Sequence, residues 1–159
     1  MEIWDAYDRD FRKLNGVTLA REEPRPLGMY HLVSEVIVRH QDGSYLLMQR
    51  DQRKHFGGMW EATAGGSALQ GENALQCAIR ELREETGIQA TSITEIGRVV
   101  HDRHQTIYVE FLCVTNCNKA SVTLQEGETS AYRWITWGEL CDLPRRQLVT
   151  QRILNLIDG

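Results

Sequence analysis

Glu81, Glu84 and Glu85 lie within the run Arg80-Glu-Leu-Arg-Glu-Glu-Thr86. On a helix that advances about 100° per residue, they gather on one face. As pure stabilisation this is a poor arrangement. The carboxylates repel one another at i, i+3 and i+4 spacing, and they sit near the negative end of the helix dipole. A divalent cation removes both penalties. Mg²⁺ and Mn²⁺ take hard oxygen ligands, and Mg²⁺ is commonly held by a few carboxylates together with substrate phosphates. The chemistry that such a centre supports is attack of water on a phosphoryl group. Arg80, one turn before Glu84, supplies the helix's own counter-charge.

The helix that carries these residues is predicted to dock through an apolar stripe of Leu75, Ala78, Ile79 and Leu82, which leaves the glutamates on the far side. Glu72 and Asn73 stand at its start, where a carboxylate and a capping side chain are favourable, and Gly87 suits a left-handed C-terminal cap. Just before it, Gly65-Gly66 permits close approach of backbone to a ligand. Two strands, Tyr30 to Arg39 and Tyr45 to Arg50, are predicted around the Asp42-Gly43 hairpin signal. Two more, Ile93 to Val100 and Thr106 to Thr115, are joined by a loop holding His101 and His104, and Glu110 is the one charge inside the last strand. Trp137 to Leu140 looks like a short helix start. Leu148, Ile153, Leu154 and Ile157 predict a core-packing terminal helix over Arg145 to Ile157. Residues 2–28 alternate on both sides of a polar turn and predict a β-hairpin ahead of the main domain. Such a hairpin covers a sheet edge or forms a homodimer contact.

Composition narrows the setting. The chain has 159 residues, 42% hydrophobic and 25% charged, which suits one globular domain. A formal net charge of −4 argues against a nucleic-acid polymer as the main partner, while leaving room for a small phosphorylated substrate whose charge a metal can carry. There is no run of 18 apolar residues and no signal-like N-terminus, so no membrane partner is expected and the cytoplasm is the default address. The four cysteines, Cys77, Cys113, Cys117 and Cys141, are expected as free thiols.

Gly66, Glu72, Arg80, Glu81, Glu84, Glu85 and Gly87, with aliphatic Leu82 and Ile88, fit the pattern Gly-x5-Glu-x7-Arg-Glu-U-x-Glu-Glu-x-Gly-U, where U is a bulky aliphatic. A chance match at one chosen start has a probability on the order of 10⁻⁹. The pattern is the Nudix box, and the chain resembles the MutT/Nudix hydrolases from about Tyr30 onward. The resemblance implies an α/β/α sandwich with a mixed sheet. It makes residues 1–159 a single domain, with 1–28 as an N-terminal hairpin extension, 30–159 as the Nudix core and the box at 66–88. The extension, through its Trp-Asp-x-Tyr-Asp stretch, is similar to that of Nudix proteins related to isopentenyl-diphosphate isomerase.

The same resemblance implies Mg²⁺ or Mn²⁺ held by Glu81, Glu84 and Glu85 with a backbone carbonyl at Gly65 or Gly66, and it places Arg80 with the catalytic residues. The general base is Glu84 or Glu128, the latter six residues before Trp134. Trp60, His101, His104 and Arg50 are the candidate substrate contacts. The implied reaction is hydrolysis of a diphosphate linkage in a nucleoside diphosphate derivative. Two alternatives belong beside it. A non-catalytic Nudix-like sensor typically loses box carboxylates, and all of them are present here. An isomerase needs a Cys-x-His-Pro run before the box, and Ala64 stands where the Cys is expected. Cys77, inside the helix, suits a small buried apolar role.

Overall fold

The segment His31-Leu-Val-Ser-Glu-Val-Ile-Val places Leu32, Val36 and Val38 on one face and Val33 and Ile37 on the other, so it is built to be covered on both sides. In the computed structural model, which describes residues 1–149 and 152–157 (152 and 153 by backbone alone), it forms the central strand. The strands are β1 Ile3–Tyr7, β2 Lys13–Ala20, β3 His31–His40, β4 Tyr45–Arg50, β5 Trp60–Glu61, β6 Thr63–Ser67, β7 Ile93–His101, β8 Thr106–Thr115 and β9 Thr129–Ile135. The helices are α1 Ala74–Thr86 and α2 Trp137–Asp142. The main sheet runs β5-β4-β3-β8-β7, with β6 also paired to β3 and β9 to β4. It is mixed, because β3 lies parallel to β8 and antiparallel to β4 and β6.

The pleat of β3 divides the molecule. Leu32, Val36 and Val38 join Val109, Phe111, Ala78 and Leu82 in the core under α1. Ile37, on the other face, joins Leu47, Ile135, Leu140, Leu148 and Ile157. That second face also carries His31, Val33 and Glu35, which border a cleft. The Asp42-Gly43 hairpin forms as its sequence predicts, with Gly43 at φ 94° and the Gly43 N–H donating to the His40 carbonyl at 2.9 Å.

α1 keeps both of its expected caps. The Asn73 side chain accepts from the Gln76 N–H in a capping box, and Gly87 closes the helix at φ 76°. Its buried face differs from the predicted one. Cys77, Ala78, Leu82 and Thr86 are buried, whereas Leu75 and Ile79 are 44% and 36% exposed. The floor beneath α1 explains the rotation. It consists of β3 and β6, where the small Ser34, Ala64 and Gly66 let the helix backbone lie close, so that the face of Cys77, Ala78 and Thr86 packs inward. The Ser34 hydroxyl donates to the Ala74 carbonyl at 2.7 Å, and the Cys77 thiol donates to the Gly66 carbonyl at 3.3 Å. Leu75 instead borders a second groove with Tyr7, Phe11 and Phe111. The rotation also brings Glu81 and Glu85 toward the β6 edge rather than the far side.

The predicted terminal helix over Arg145 to Ile157 is replaced by two 3₁₀ segments, Arg145–Gln147 and Arg152–Leu156. Between them the Val149 N–H donates to the Trp60 carbonyl at 3.0 Å, and Leu148 bridges Trp60. That main-chain pairing extends the backbone where a helix would need to continue. Leu148 and Ile157 still reach the core. Residues 150 and 151 and the side chain of Ile153 lie outside the described residues.

The N-terminal hairpin, β1 paired with β2, is joined to the main sheet by reciprocal Tyr7 and Tyr30 backbone bonds of 2.9 Å. Asp5 accepts from the Gly71 N–H at 2.8 Å. Among the described residues no helix is long and apolar enough to cross a membrane, and all four cysteines are free.

Candidate active site

The cleft beside the cut end of β6 has a volume of about 370 Å³, within the range of small-molecule sites. Its floor is the face of β3 that carries His31, Val33 and Glu35, flanked by Gly65 and Gly66 of β6 and by Thr106 and Tyr108 of β8. Arg50, Lys54, Glu61, Glu85 and Glu128 also line it.

The glycine pair lets α1 contribute to a cleft that opens on the opposite side of the sheet. The Gly65 N–H donates to Glu85 Oε2 at 3.2 Å. A Cβ at Gly66 would stand 2.6 Å from Glu81 Oε1, and one at Gly65 would stand 2.1 Å from the Ser34 carbonyl oxygen. Both sites therefore require glycine, one so that a carboxylate can lie against the backbone and one so that β6 can pair with β3.

Arg80 ties this corner together. Its guanidinium donates to Glu72 at 2.6 and 2.9 Å, to the Ser67 carbonyl at 3.2 Å, to Glu81 at 2.9 Å and to Glu84 at 3.2 Å. Those partners hold it charged. Glu72 in turn accepts from the Leu69 N–H at 2.9 Å, so the turn between β6 and α1 is closed from both ends.

The carboxylates that face the cleft are short of positive charge. Burial pushes Glu85 well above the ordinary carboxylate range, and the neighbouring charges of Glu81 and Glu61 push it further. Burial also raises Glu81 against the pull of Arg80, and Glu61 against the pull of Arg50. Glu61 is ion-paired with Arg50 and Glu128 with Lys54. Among the described residues no three Asp, Glu, His or Cys side chains converge closely enough to hold a metal ion, because Glu81 is turned to Arg80 and Glu61 to Arg50. The donor set nevertheless fits a hard divalent cation: buried carboxylate oxygens with too few cations, beside a side-chain-free stretch of backbone.

Residues 29–156 match the family model for the NUDIX domain. The chain belongs to the Nudix hydrolase family. An uncharacterized Nudix hydrolase of Listeria monocytogenes is 30% identical over 141 residues, covering 88% of this chain and 83% of its own. Among solved structures, one from Deinococcus radiodurans superimposes with a TM-score of 0.71 at 16% identity, covering 87% of this chain and 86% of that one. The NUDIX domain of Shewanella oneidensis NrtR, crystallised with ADP ribose, superimposes with a TM-score of 0.61 at 19% identity, covering 78% and 84%. These two likenesses speak to the fold.

Within this Nudix hydrolase the residues singled out in the sequence are distributed unevenly. Gly65, Gly66, Glu85, Arg50 and Glu128 line the cleft, and Glu81 lies against Gly66. Glu84 is exposed and bonded to Arg80, and neither borders the cleft. Trp60 lies beneath the Arg133 guanidinium, 4.9 Å from its ring, on a separate shallow groove with Gln52 and Gly57. His101 and His104 stack on each other at 4.6 Å in an exposed turn outside the cleft. His104→Ala is accordingly expected to leave KM within about twofold of wild type, since exposed substitutions away from a site usually have small effects. A KM tenfold higher would bring that turn into the substrate site.

The cleft also holds His31, Glu35, Lys54, Glu61 and Tyr108, none of them singled out beforehand. Glu35 had a signal, since it interrupts the apolar run from Leu32 to Val38 and stands in register with Glu110. His31, Glu61 and Tyr108 are brought in by strand pairing, and Lys54, between β4 and β5, by its ion pair with Glu128.

Proposed function

We propose that this Nudix hydrolase cleaves a diphosphate linkage in a nucleoside diphosphate derivative, with Mg²⁺ or Mn²⁺ bound by Glu81 and Glu85, by Glu84 on the same turns of helix, and by backbone carbonyl oxygen at Gly65 or Gly66. The observation that carries this is Glu85: a carboxylate buried at the cleft wall, with two further carboxylates raising its proton affinity. Nothing in folding favours such a cluster, whereas a divalent cation beside a phosphate compensates it. When bound, the ion withdraws charge from phosphoryl oxygens and acidifies water.

The chain's own residues supply the rest. Arg50 and Lys54 are the cations on the cleft, placed to receive phosphate oxygens as they leave Glu61 and Glu128. Of the two candidate bases, Glu128 borders the cleft and Glu84 does not, so Glu128 takes the proton from the attacking water. Arg80 acts at one remove, by fixing Glu81 and the glycine turn. ADP ribose, bound by the Shewanella domain of the same fold, is a nucleoside diphosphate derivative of the proposed class.

A hydrolysis screen with Mg²⁺ against nucleoside di- and triphosphates, sugar nucleotides, dinucleotide cofactors and isoprenoid diphosphates tests the proposal. Turnover that depends on Mg²⁺ for at least one nucleotide is expected. Ligand binding without turnover of any compound would favour the sensor alternative. The isomerase alternative has no thiol to use: Ala64 is buried in β6, and Cys77 is buried against the Gly66 carbonyl. Deuterium exchange into isopentenyl diphosphate is expected to stay at background, and exchange above it would reinstate that activity.

A further inference from the structure

The cleft has two chemically different ends. Four residue steps along β3 take His31 to Glu35, about 13 Å along an extended strand, and the register places Thr106 beside His31 and Tyr108 beside Val33. Carboxylates and their cations occupy the Glu35 end. The His31 end has flat rings and hydroxyl groups, and the aliphatic side chains on the whole cleft are Val33 and Val149.

The N-terminal hairpin holds His31 in place. Its ring stacks on Trp4 with centroids 4.2 Å apart and planes 16° from parallel. Its Nδ1 is 3.3 Å from the Thr106 hydroxyl, and its backbone N–H donates to the Gln105 carbonyl at 3.0 Å. Trp4 is 3% exposed and His31 7%, so the pair is packed rather than adrift at the surface. The Arg25 guanidinium lies over the Trp4 ring, 5.3 Å from its centroid. Burial, and then the charge of Arg25, lower the His31 pKa to about 3. The imidazole is therefore neutral and does not compete with Arg50 and Lys54 for phosphate.

We propose that His31 and Tyr108 form the nucleobase subsite of this cleft, and that Trp4 of the N-terminal hairpin is the residue that positions His31. The proposal rests on the cleft being a diphosphate-hydrolysing site, and it assigns the group beyond the diphosphate. A nucleobase is planar and uncharged, and it carries hydrogen-bonding edges. A tyrosine ring offers stacking, while a neutral imidazole has a second ring nitrogen besides the Nδ1 held by Thr106. An alkyl chain would need an apolar lining, which two valines do not provide. The span of about 13 Å along β3 leaves room for a sugar between the diphosphate and the base.

Calorimetry with three probes, AMP, UMP and ribose 5-phosphate, in the presence of Mg²⁺, tests this directly. Base stacking typically contributes a factor of about ten in affinity, so the wild-type protein should bind at least one nucleotide roughly tenfold more tightly than ribose 5-phosphate. His31→Ala and Tyr108→Leu should each bring that ratio to within about threefold of unity, with ribose 5-phosphate affinity unchanged. Trp4→Leu should behave like His31→Ala, and Trp4→Phe, which keeps a ring to stack on, should restore the ratio. A ratio retained in the folded His31 and Tyr108 variants, or no preference in the wild type, would overturn the subsite. The two proposals fail separately. Base-dependent binding without turnover would remove the hydrolase chemistry and keep the subsite, and turnover with no nucleotide preference would do the reverse.

Discussion

Replacing Glu85 by glutamine should lower kcat by roughly 10²- to 10³-fold at saturating Mg²⁺, the usual cost of removing one key electrostatic group from a site, while raising the thermal midpoint of the metal-free protein. Both effects have one origin. Glu85 is buried beside Glu81 and Glu61, so its proton affinity is raised in the folded chain above the ordinary value of 4.5. The folded state then holds a proton that the unfolded state releases, and metal-free stability falls as pH rises from 4.5 toward the raised value. Glutamine keeps the oxygen that accepts from Gly65 and has no charge to bury, so this part of the decline should vanish in Glu85→Gln. Thermal midpoints with a chelator from pH 4.5 upward, alongside kcat with Mg²⁺, measure both. Full activity in the variant, or a midpoint that drops while activity follows the folded fraction, would make Glu85 a structural residue and remove the main support for the hydrolytic centre.

The two glycines of β6 should separate just as clearly. A Cβ at Gly65 meets the Ser34 carbonyl oxygen at 2.1 Å, a backbone atom of the paired strand that has nowhere to go. Gly65→Ala should therefore cost roughly 3 kcal/mol, a midpoint lower by roughly 10 °C. A Cβ at Gly66 meets Glu81 Oε1 at 2.6 Å, the end of a side chain that can swing away. Gly66→Ala should cost less than about 1 kcal/mol in stability, yet lose activity on the scale of a missing ligand, because the displaced carboxylate is a proposed cation donor. Chemical denaturation and steady-state kinetics on the two variants check the contrast. Equal stability losses, or an active Gly66→Ala enzyme, would mean that the backbone gap at β6 does not serve the site.

Local features of this chain were legible because their causes are local. Asn73 and Gly87 cap α1 through groups within a few residues, and the Asp42-Gly43 turn closes on itself. The spacing from Gly66 to Ile88 identifies the family because the box is one turn and one helix, so its chemistry is written along a continuous stretch. The face on which α1 docks was a different matter. Leu75 and Ile79 share a stripe with Ala78 and Leu82 on periodicity alone, and Cys77, Ala78 and Thr86 mark a neighbouring one. Only the floor of Ser34, Ala64 and Gly66, small enough for the helix backbone to lie close, selects the face of Cys77, Ala78 and Thr86, and with it the direction of Glu81 and Glu85. The terminal helix failed for a similar reason, since the pairing of Val149 with Trp60 joins residues far apart in the chain.

The sequence by itself determined the box carboxylates, the glycine pair before them and the helix that carries the carboxylates, because each depends on residues near one another along the chain. Tertiary structure decided which side chains meet in the cleft. His31 reaches it through a ring supplied by Trp4, Glu85 through a gap left by Gly65 and Gly66, and Lys54 through an ion pair with Glu128. Each of these contacts joins segments whose separation in the chain carries no periodic trace, so packing and strand register alone bring them together.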